Sequence, residues 1–346
     1  MAEPAQGAAA AARTYPRWVA ALARLLLRIF FTQVEVSGQM AVPLGRPLLY
    51  VANHNNGLID PALVLGFLPG RPRFLGKSTL WRNPVVRPFL ALFRVIPVYR
   101  PQDDGFDPAR NEESFRRCRE VLAAGGAVAL FPEGKSHAGP GVAELRTGAA
   151  RIVLGLPLEV RRRLAVVPVG LLYDAPGIFR SRVLVRCGEP LAEEAIGSAI
   201  AAGEAATEGG TAAAVRALTA AIAAALDEVT LGYRSWDEAR LLQRAADLWL
   251  QPDPALPAQP SLGDRFAARR RVLARYRELA ASRPGRLDAL AAALAAYDRL
   301  LLAFDLRDAQ VGAAYPLPSV FRFLAESVWL LLVRAPLALV GTLLGY

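Results

Sequence analysis

The stretch VANHNNGLIDP (51 to 61) sets an imidazole, His54, six positions ahead of a carboxylate, Asp60. A histidine held by an aspartate is a common general base: the carboxylate fixes the tautomer and leaves the far ring nitrogen free to take a proton. On one continuous helix a spacing of six would set the two side chains about 240° apart, so they meet only if a turn intervenes. Asn55, Asn56 and Gly57 are turn formers, and a loop leaving a strand over 47 to 52 can fold the ring back onto the carboxylate. A structural reading stands beside this one. Asp60-Pro61 also reads as a helix start, with the carboxylate at the N-cap and proline at the first helical position, which gives Asp60 no catalytic task.

A second stretch, FPEGKSH (131 to 137), follows a strand expected over 126 to 131. Its glycine lets a ligand approach the backbone, Glu133 can bond a polyol hydroxyl and Lys135 can attract phosphate. A plain surface turn is the alternative, but it gives no reason for the scarce residues here. Of the 41 basic residues, only Lys77 and Lys135 are lysine, and the chain's two histidines are His54 and His137. A third stretch, VIPVYR (95 to 100), ends an apolar strand in Arg100, where a guanidinium can hold phosphate through paired hydrogen bonds. Gly76-Lys77-Ser78 and Gly134-Lys135-Ser136 resemble the end of a nucleotide-binding P-loop. The glycine required five positions earlier is replaced by Arg71 and Ala129, so both are rejected. No Gly-x-Ser-x-Gly elbow is present, which argues against a serine esterase.

Composition narrows the partners. A formal charge of +10 over 346 residues favours an anionic ligand or surface. Cys118 and Cys187 lie far apart without metal-ligand spacing, so neither a disulfide framework nor a metal site is expected. Arg265, Arg269, Arg270, Arg271 and Arg275 make a basic helix face, read as solvated. No motif supports nucleic-acid recognition.

The elements that must position these residues follow from periodicity. Residues 1 to 13 read as a disordered tail. From 14 to 33 an amphipathic helix carries Arg17, Arg24 and Arg28 on one stripe and large apolar residues on the rest. It suits a membrane interface or packing on the core equally. Residues 34 to 190 alternate strands (47 to 52, 94 to 99, 126 to 131, 164 to 172, 182 to 187) with helices (60 to 68, 79 to 92, 110 to 124, 146 to 159). That pattern predicts an α/β sandwich around a mostly buried sheet, with sites in the loops beyond strand ends. Residues 191 to 310 read as an all-α extension, with helices over 211 to 228, 236 to 250, 262 to 282 and 286 to 304. From 311 to 346 the chain is apolar and membrane-associated. Its run from Ser327 nearly reaches the ~20 residues a bilayer needs, but Arg334 and Pro336 interrupt it, which favours a bent segment in one leaflet.

In order, NHNNGLIDP (53 to 61), VIPVYR (95 to 100), FPEGKSH (131 to 137) and VVPVG (166 to 170) resemble the motif blocks of the glycerolipid acyltransferase superfamily. That superfamily includes glycerol-3-phosphate and 1-acyl-glycerol-3-phosphate (lysophosphatidate) acyltransferases. The commonest first block encloses four residues between His and Asp, whereas His54 and Asp60 enclose five. This form, with LDEVTLGYRSWDEARLL (226 to 242), is similar to a subgroup of bacterial and fungal-type members. The resemblance implies an O-acyltransferase of phospholipid synthesis, with His54 and Asp60 catalytic and Arg100, Glu133, Gly134, Lys77 and Lys135 binding the acceptor. Backbone donors near Gly134 are its candidate oxyanion stabilisers. It implies no metal and no cofactor, only acyl-CoA or acyl-acyl-carrier-protein as co-substrate. Its expected setting is the cytoplasmic face of a membrane, with a peripheral or monotopic attachment to membrane lipids. A catalytically silent lipid-binding protein on the same scaffold is the alternative.

Overall fold

A computed structural model describes residues 14–99, 108–175, 178–204, 210–250, 260–306, 308–311 and 317–344. The expected tail, 1 to 13, lies outside these residues, as does Arg100. The described chain forms two compact units, the first taking in residues up to Ala246 together with Pro260–Arg277.

The first unit is built on a seven-stranded sheet of order β1-β7-β6-β2-β5-β3-β4. The strands are β1 (Gln33–Ser37), β2 (Leu48–Ala52), β3 (Arg73–Lys77), β4 (Ile96–Val98), β5 (Ala127–Leu130), β6 (Ala165–Tyr173) and β7 (Arg182–Cys187). Every neighbouring pair is parallel except β6 with β7. β2 is buried at all five positions because both faces of the sheet are covered, which is why it reads as an unbroken apolar run. Its residues alternate between two cores. Leu48, Tyr50 and Ala52 point into one with helices α1 (Arg17–Phe30) and α2 (Ile59–Phe67). Leu49 and Val51 point into the other, with α4 (Pro108–Ala123), α5 (Gly148–Leu154), α7 (Glu193–Glu204) and α8 (Gly210–Val229). The short helices α3 (Arg87–Leu92) and α6 (Leu158–Arg163) complete the connections of this α/β sandwich.

Helix α1 packs on the core and also keeps an apolar face outward. Val19, Ala20 and Leu27 are buried, while Trp18, Leu22, Leu25, Leu26 and Ile29 are exposed. Arg24, from the expected arginine stripe, instead donates from Nη1 to the carbonyl of Gly66 at 2.9 Å. A satellite core joins Leu184 of β7 to Leu231, Tyr233 and Leu242 and to Leu262, Phe266 and Leu273. Leu242 lies on α9 (Trp236–Trp249), and the last three residues on α10 (Leu262–Ser282). Glu35 caps α10 by accepting the amides of Leu262 at 2.7 Å and Gly263 at 2.9 Å. Of the basic face on α10, Arg270 bonds Glu228 at 2.6 Å and Arg269 lies 3.5 Å from Asp174.

Several elements differ from expectation. β1 and β3 were not anticipated, because each carries polar residues at its ends. The helix expected over 79 to 92 is a 3-10 turn, Ser78–Arg82, followed by α3, since Asn83-Pro84 interrupts it. The helix expected over 146 to 159 ends at Leu154, with α6 following Pro157.

The second unit includes Glu278 onward. It contains α11 (Pro284–Ala303), which buries no residue, and α12 (Leu317–Leu344), which has Pro336 inside it instead of breaking there. Among the described residues no helix is long and apolar enough to cross a membrane.

Candidate active site

The three central strands β6, β2 and β5 end side by side, and each contributes to one cluster. After β2 the chain turns at 53 to 58 before entering α2. Asn53 fixes the start of that turn: its Oδ1 accepts the amide of Leu171 at 2.7 Å, and its Nδ2 donates to the Leu171 carbonyl at 3.0 Å. Asn56 fixes the end, with Oδ1 accepting the amides of Leu58 at 3.0 Å and Ile59 at 3.1 Å. Asn56 therefore holds the turn that leads into α2, whose N-cap position is Leu58, and the sequence reading of Asp60 as N-cap is corrected. Asp60 is wholly buried and turned back into the loop.

There its Oδ2 accepts from Nδ1 of His54 at 2.9 Å and from the amide of Asn56 at 2.7 Å. The phenol of Tyr173, at the end of β6, donates to Oδ1. Burial, followed by the charge and hydrogen bond of Asp60, pushes the Tyr173 phenol well above its ordinary pKa, so it stays a donor. A carboxylate offers only acceptors, so Nδ1 of His54 carries the proton and Nε2 presents a lone pair. Among the described residues Nε2 has no partner. The ring stacks on Phe131, with centroids 4.1 Å apart and planes within 12°.

The loop after β5 grips the same histidine by its backbone. Glu133, 2% exposed, accepts the His54 amide at Oε1 over 2.7 Å. Its Oε2 accepts from the amide of Ala143 at 3.0 Å and from Nε2 of His137. Nδ1 of His137 in turn accepts the amide of Gly139 at 3.0 Å, and the amide of His137 donates to the His54 carbonyl at 3.1 Å. Gly134 adopts φ +75°, a left-handed turn, and spends its amide on the Phe131 carbonyl at 3.1 Å. That amide is thus not an oxyanion donor.

The structure therefore brings together His54, Asp60, Glu133 and Gly134. Glu133 meets protein donors at both oxygens, so its carboxylate braces the loop. Lys135 stands exposed on that loop, and Lys77 ends β3, two strands from β2 at the same end of the sheet. Tyr173, Phe131, Asn53 and His137 complete the cluster. Asn53, Phe131 and His137 lie inside the stretches singled out in the sequence, whereas Tyr173 carried no sequence signal. No grouping of His, Cys, Asp and Glu among the described residues is suited to a metal.

A His–Asp pair at the strand ends of an α/β sandwich defines a class of site suited to proton transfer. Residues 33–172 match the family model described as Acyltransferase. The chain is 38% identical over 82 residues to glycerol-3-phosphate O-acyltransferase 2 of Saccharomyces cerevisiae, covering 23% of this chain and 11% of that one. It is 26% identical over 144 residues to the chloroplastic 1-acyl-sn-glycerol-3-phosphate acyltransferase LPAT1 of Arabidopsis thaliana, covering 41% and 36%. The chain thus spans from about a tenth to little more than a third of the length of these relatives. Among solved structures, the 1-acyl-sn-glycerophosphate acyltransferase PlsC of Thermotoga maritima aligns with TM-score 0.42 and 18% identity, over 63% of this chain and 81% of that one.

Proposed function

We propose that this protein is an O-acyltransferase that moves a fatty acyl group from an acyl thioester to a hydroxyl of glycerol-3-phosphate or lysophosphatidate, with His54 as general base and Asp60 as its orienting carboxylate. The observation that carries the reading is the 2.9 Å contact from His54 Nδ1 to a buried Asp60, with Nε2 unpartnered among the described residues. Nε2 takes the proton of the acceptor hydroxyl as its oxygen attacks the thioester carbonyl. The tetrahedral intermediate collapses to the ester, the C–S bond breaks, and the thiolate leaving group recovers the proton from the imidazolium. No acyl-enzyme forms. Cys118 and Cys187 are buried, and burial pushes their thiols up to about 12 and about 11, so neither is a ready nucleophile.

In this reading Arg100, Lys77 and Lys135 hold the acceptor phosphate, and Glu133 acts through the loop it ties to His54. The donor is acyl-CoA or acyl-acyl-carrier-protein. The outward apolar face of α1 supports attachment to a membrane, here its cytoplasmic face by the family resemblance alone.

The test is acyl transfer by wild type and His54→Ala with acyl-CoA and acyl-acyl-carrier-protein, each offered glycerol-3-phosphate and lysophosphatidate, following free thiol and lipid product. Product with one acceptor, lost in a folded variant, supports the proposal. Equal turnover in the variant removes His54 as the base. No turnover by wild type with either donor, alongside vesicle binding, would leave the silent lipid-binding alternative.

A further inference from the structure

A cavity of about 460 Å³ lies beside the edge strand β4, its neighbour β3 and helices α3 and α4. Its wall carries three cations, Arg73, Arg94 and Arg117, with one acid, Glu120, and Trp81 and Leu90 add apolar surface. Arg73 opens β3 and Arg94 stands just ahead of β4, so the cavity lies toward the N-terminal ends of these strands. His54 follows the C-terminal end of β2, which runs parallel to them through β5. The cavity is therefore separate from the dyad.

Among the described residues its charges do not balance. Glu120 is engaged by Arg116 at 2.5 Å, and Arg117 pairs with Glu113 at 3.0 Å. Neither Arg73 nor Arg94 has an acidic partner among the described residues, and Nε of Arg73 is buried with no acceptor. Arg94 is also held at φ +52°, a backbone region that L side chains rarely adopt. Burial, then the nearby charge of Arg94, lowers the Arg73 pKa, as two uncompensated guanidiniums require. A polar atom removed from water without a partner is costly, and a guanidinium fork matches phosphate oxygens.

We propose that this cavity is a second, non-catalytic phosphate site, in which Arg73 and Arg94 clamp a phosphate group and Trp81 with Leu90 packs the apolar or aromatic remainder of the ligand. Such a phosphate belongs either to a soluble nucleotide or to an anionic lipid headgroup.

Thermal melts and tryptophan fluorescence of the full chain, titrated with inorganic phosphate, adenosine 3′,5′-bisphosphate and vesicles containing phosphatidic acid, test the proposal. Wild type is expected to gain melting temperature with phosphate and to show a saturable fluorescence change that Trp81→Phe abolishes. Arg94→Gln keeps the strained backbone and removes only the charge, so it should weaken that binding about tenfold or more. Without ligand it should melt no lower than wild type. Response to the bisphosphate and not to vesicles identifies a nucleotide source, and the reverse identifies a lipid. Equal titrations for wild type and Arg94→Gln, or no response to any of the three probes, would overturn the proposal. So would a ligand-free Arg94→Gln that melts several degrees lower, since Arg94 would then have a partner within the protein.

Discussion

Tyr173 reaches Asp60 from 113 positions further along the chain, and among the described residues it alone bonds Oδ1 of that buried carboxylate. Tyr173→Phe leaves the oxygen without its donor, and an orphaned buried acceptor costs about 1–3 kcal/mol. We expect that loss in urea unfolding, with a lower kcat and little change in KM, because the phenol orients the base and is not placed on substrate. Asp60→Asn removes the charge and turns one of two acceptor oxygens into an NH2 donor among three donors, so the His54 tautomer is no longer fixed, and kcat should fall by about 10²–10⁴, measured as thiol release by a variant with native circular dichroism. His54 and Asp60 were legible because both lie in one short turn whose residue types announce it. Tyr173 was not, since no local pattern marks a strand-end phenol that will meet a loop from another strand. Glu133 was legible as an acid in a functional loop, but not its direction, because three donors from distant backbone and His137 draw it inward.

Among the elements, β6 carries the tightest constraint. A Cβ at Gly170 would come within 2.0 Å of the Val229 carbonyl at the end of α8, and Leu171 next to it holds Asn53 in both directions. Gly170→Ala should therefore destabilise by at least about 1–3 kcal/mol through overpacking. It should also reduce activity in the fraction that still folds, as paired melts and assays would record. Helix α1 permits the converse experiment. Leu25→Glu with Leu26→Glu changes exposed positions, so the melting temperature should hold while co-sedimentation with anionic vesicles drops. The buried central strands β2, β5 and β6 and the regular helices from α8 to α11 were legible because their apolar periods are uninterrupted. β1 and β3 were not: QVEVS is only partly buried, and RFLGK has cations at both ends and a glycine within. Their strand state comes from pairing with β7 and with β5 and β4, which is tertiary information.

At the scale of the molecule, the core buries groups that must remain neutral. The phenols of Tyr15, Tyr50 and Tyr173 and the thiols of Cys118 and Cys187 all have raised pKa values, with burial the first cause in each. When a folded pKa lies above the unfolded one, stability is complete below the unfolded value and declines as pH rises past it. The window here opens near the ordinary thiol value of 9.0 and runs to about 11 and about 12. The two thiols alone should remove about 3 kcal/mol between pH 8 and pH 10, and denaturant titrations at the two pH values will measure it. The histidine content offers a different use of the same fold. Only two imidazoles exist in the chain, hence four ring nitrogens, and three are engaged by Asp60, Glu133 and the amide of Gly139. An imidazole nitrogen spectrum of this protein should hold just two spin systems, each with its tautomer fixed in advance. The remaining nitrogen, Nε2 of His54, becomes a single-atom reporter, whose shift or acylation by a histidine-selective reagent follows occupancy of the site.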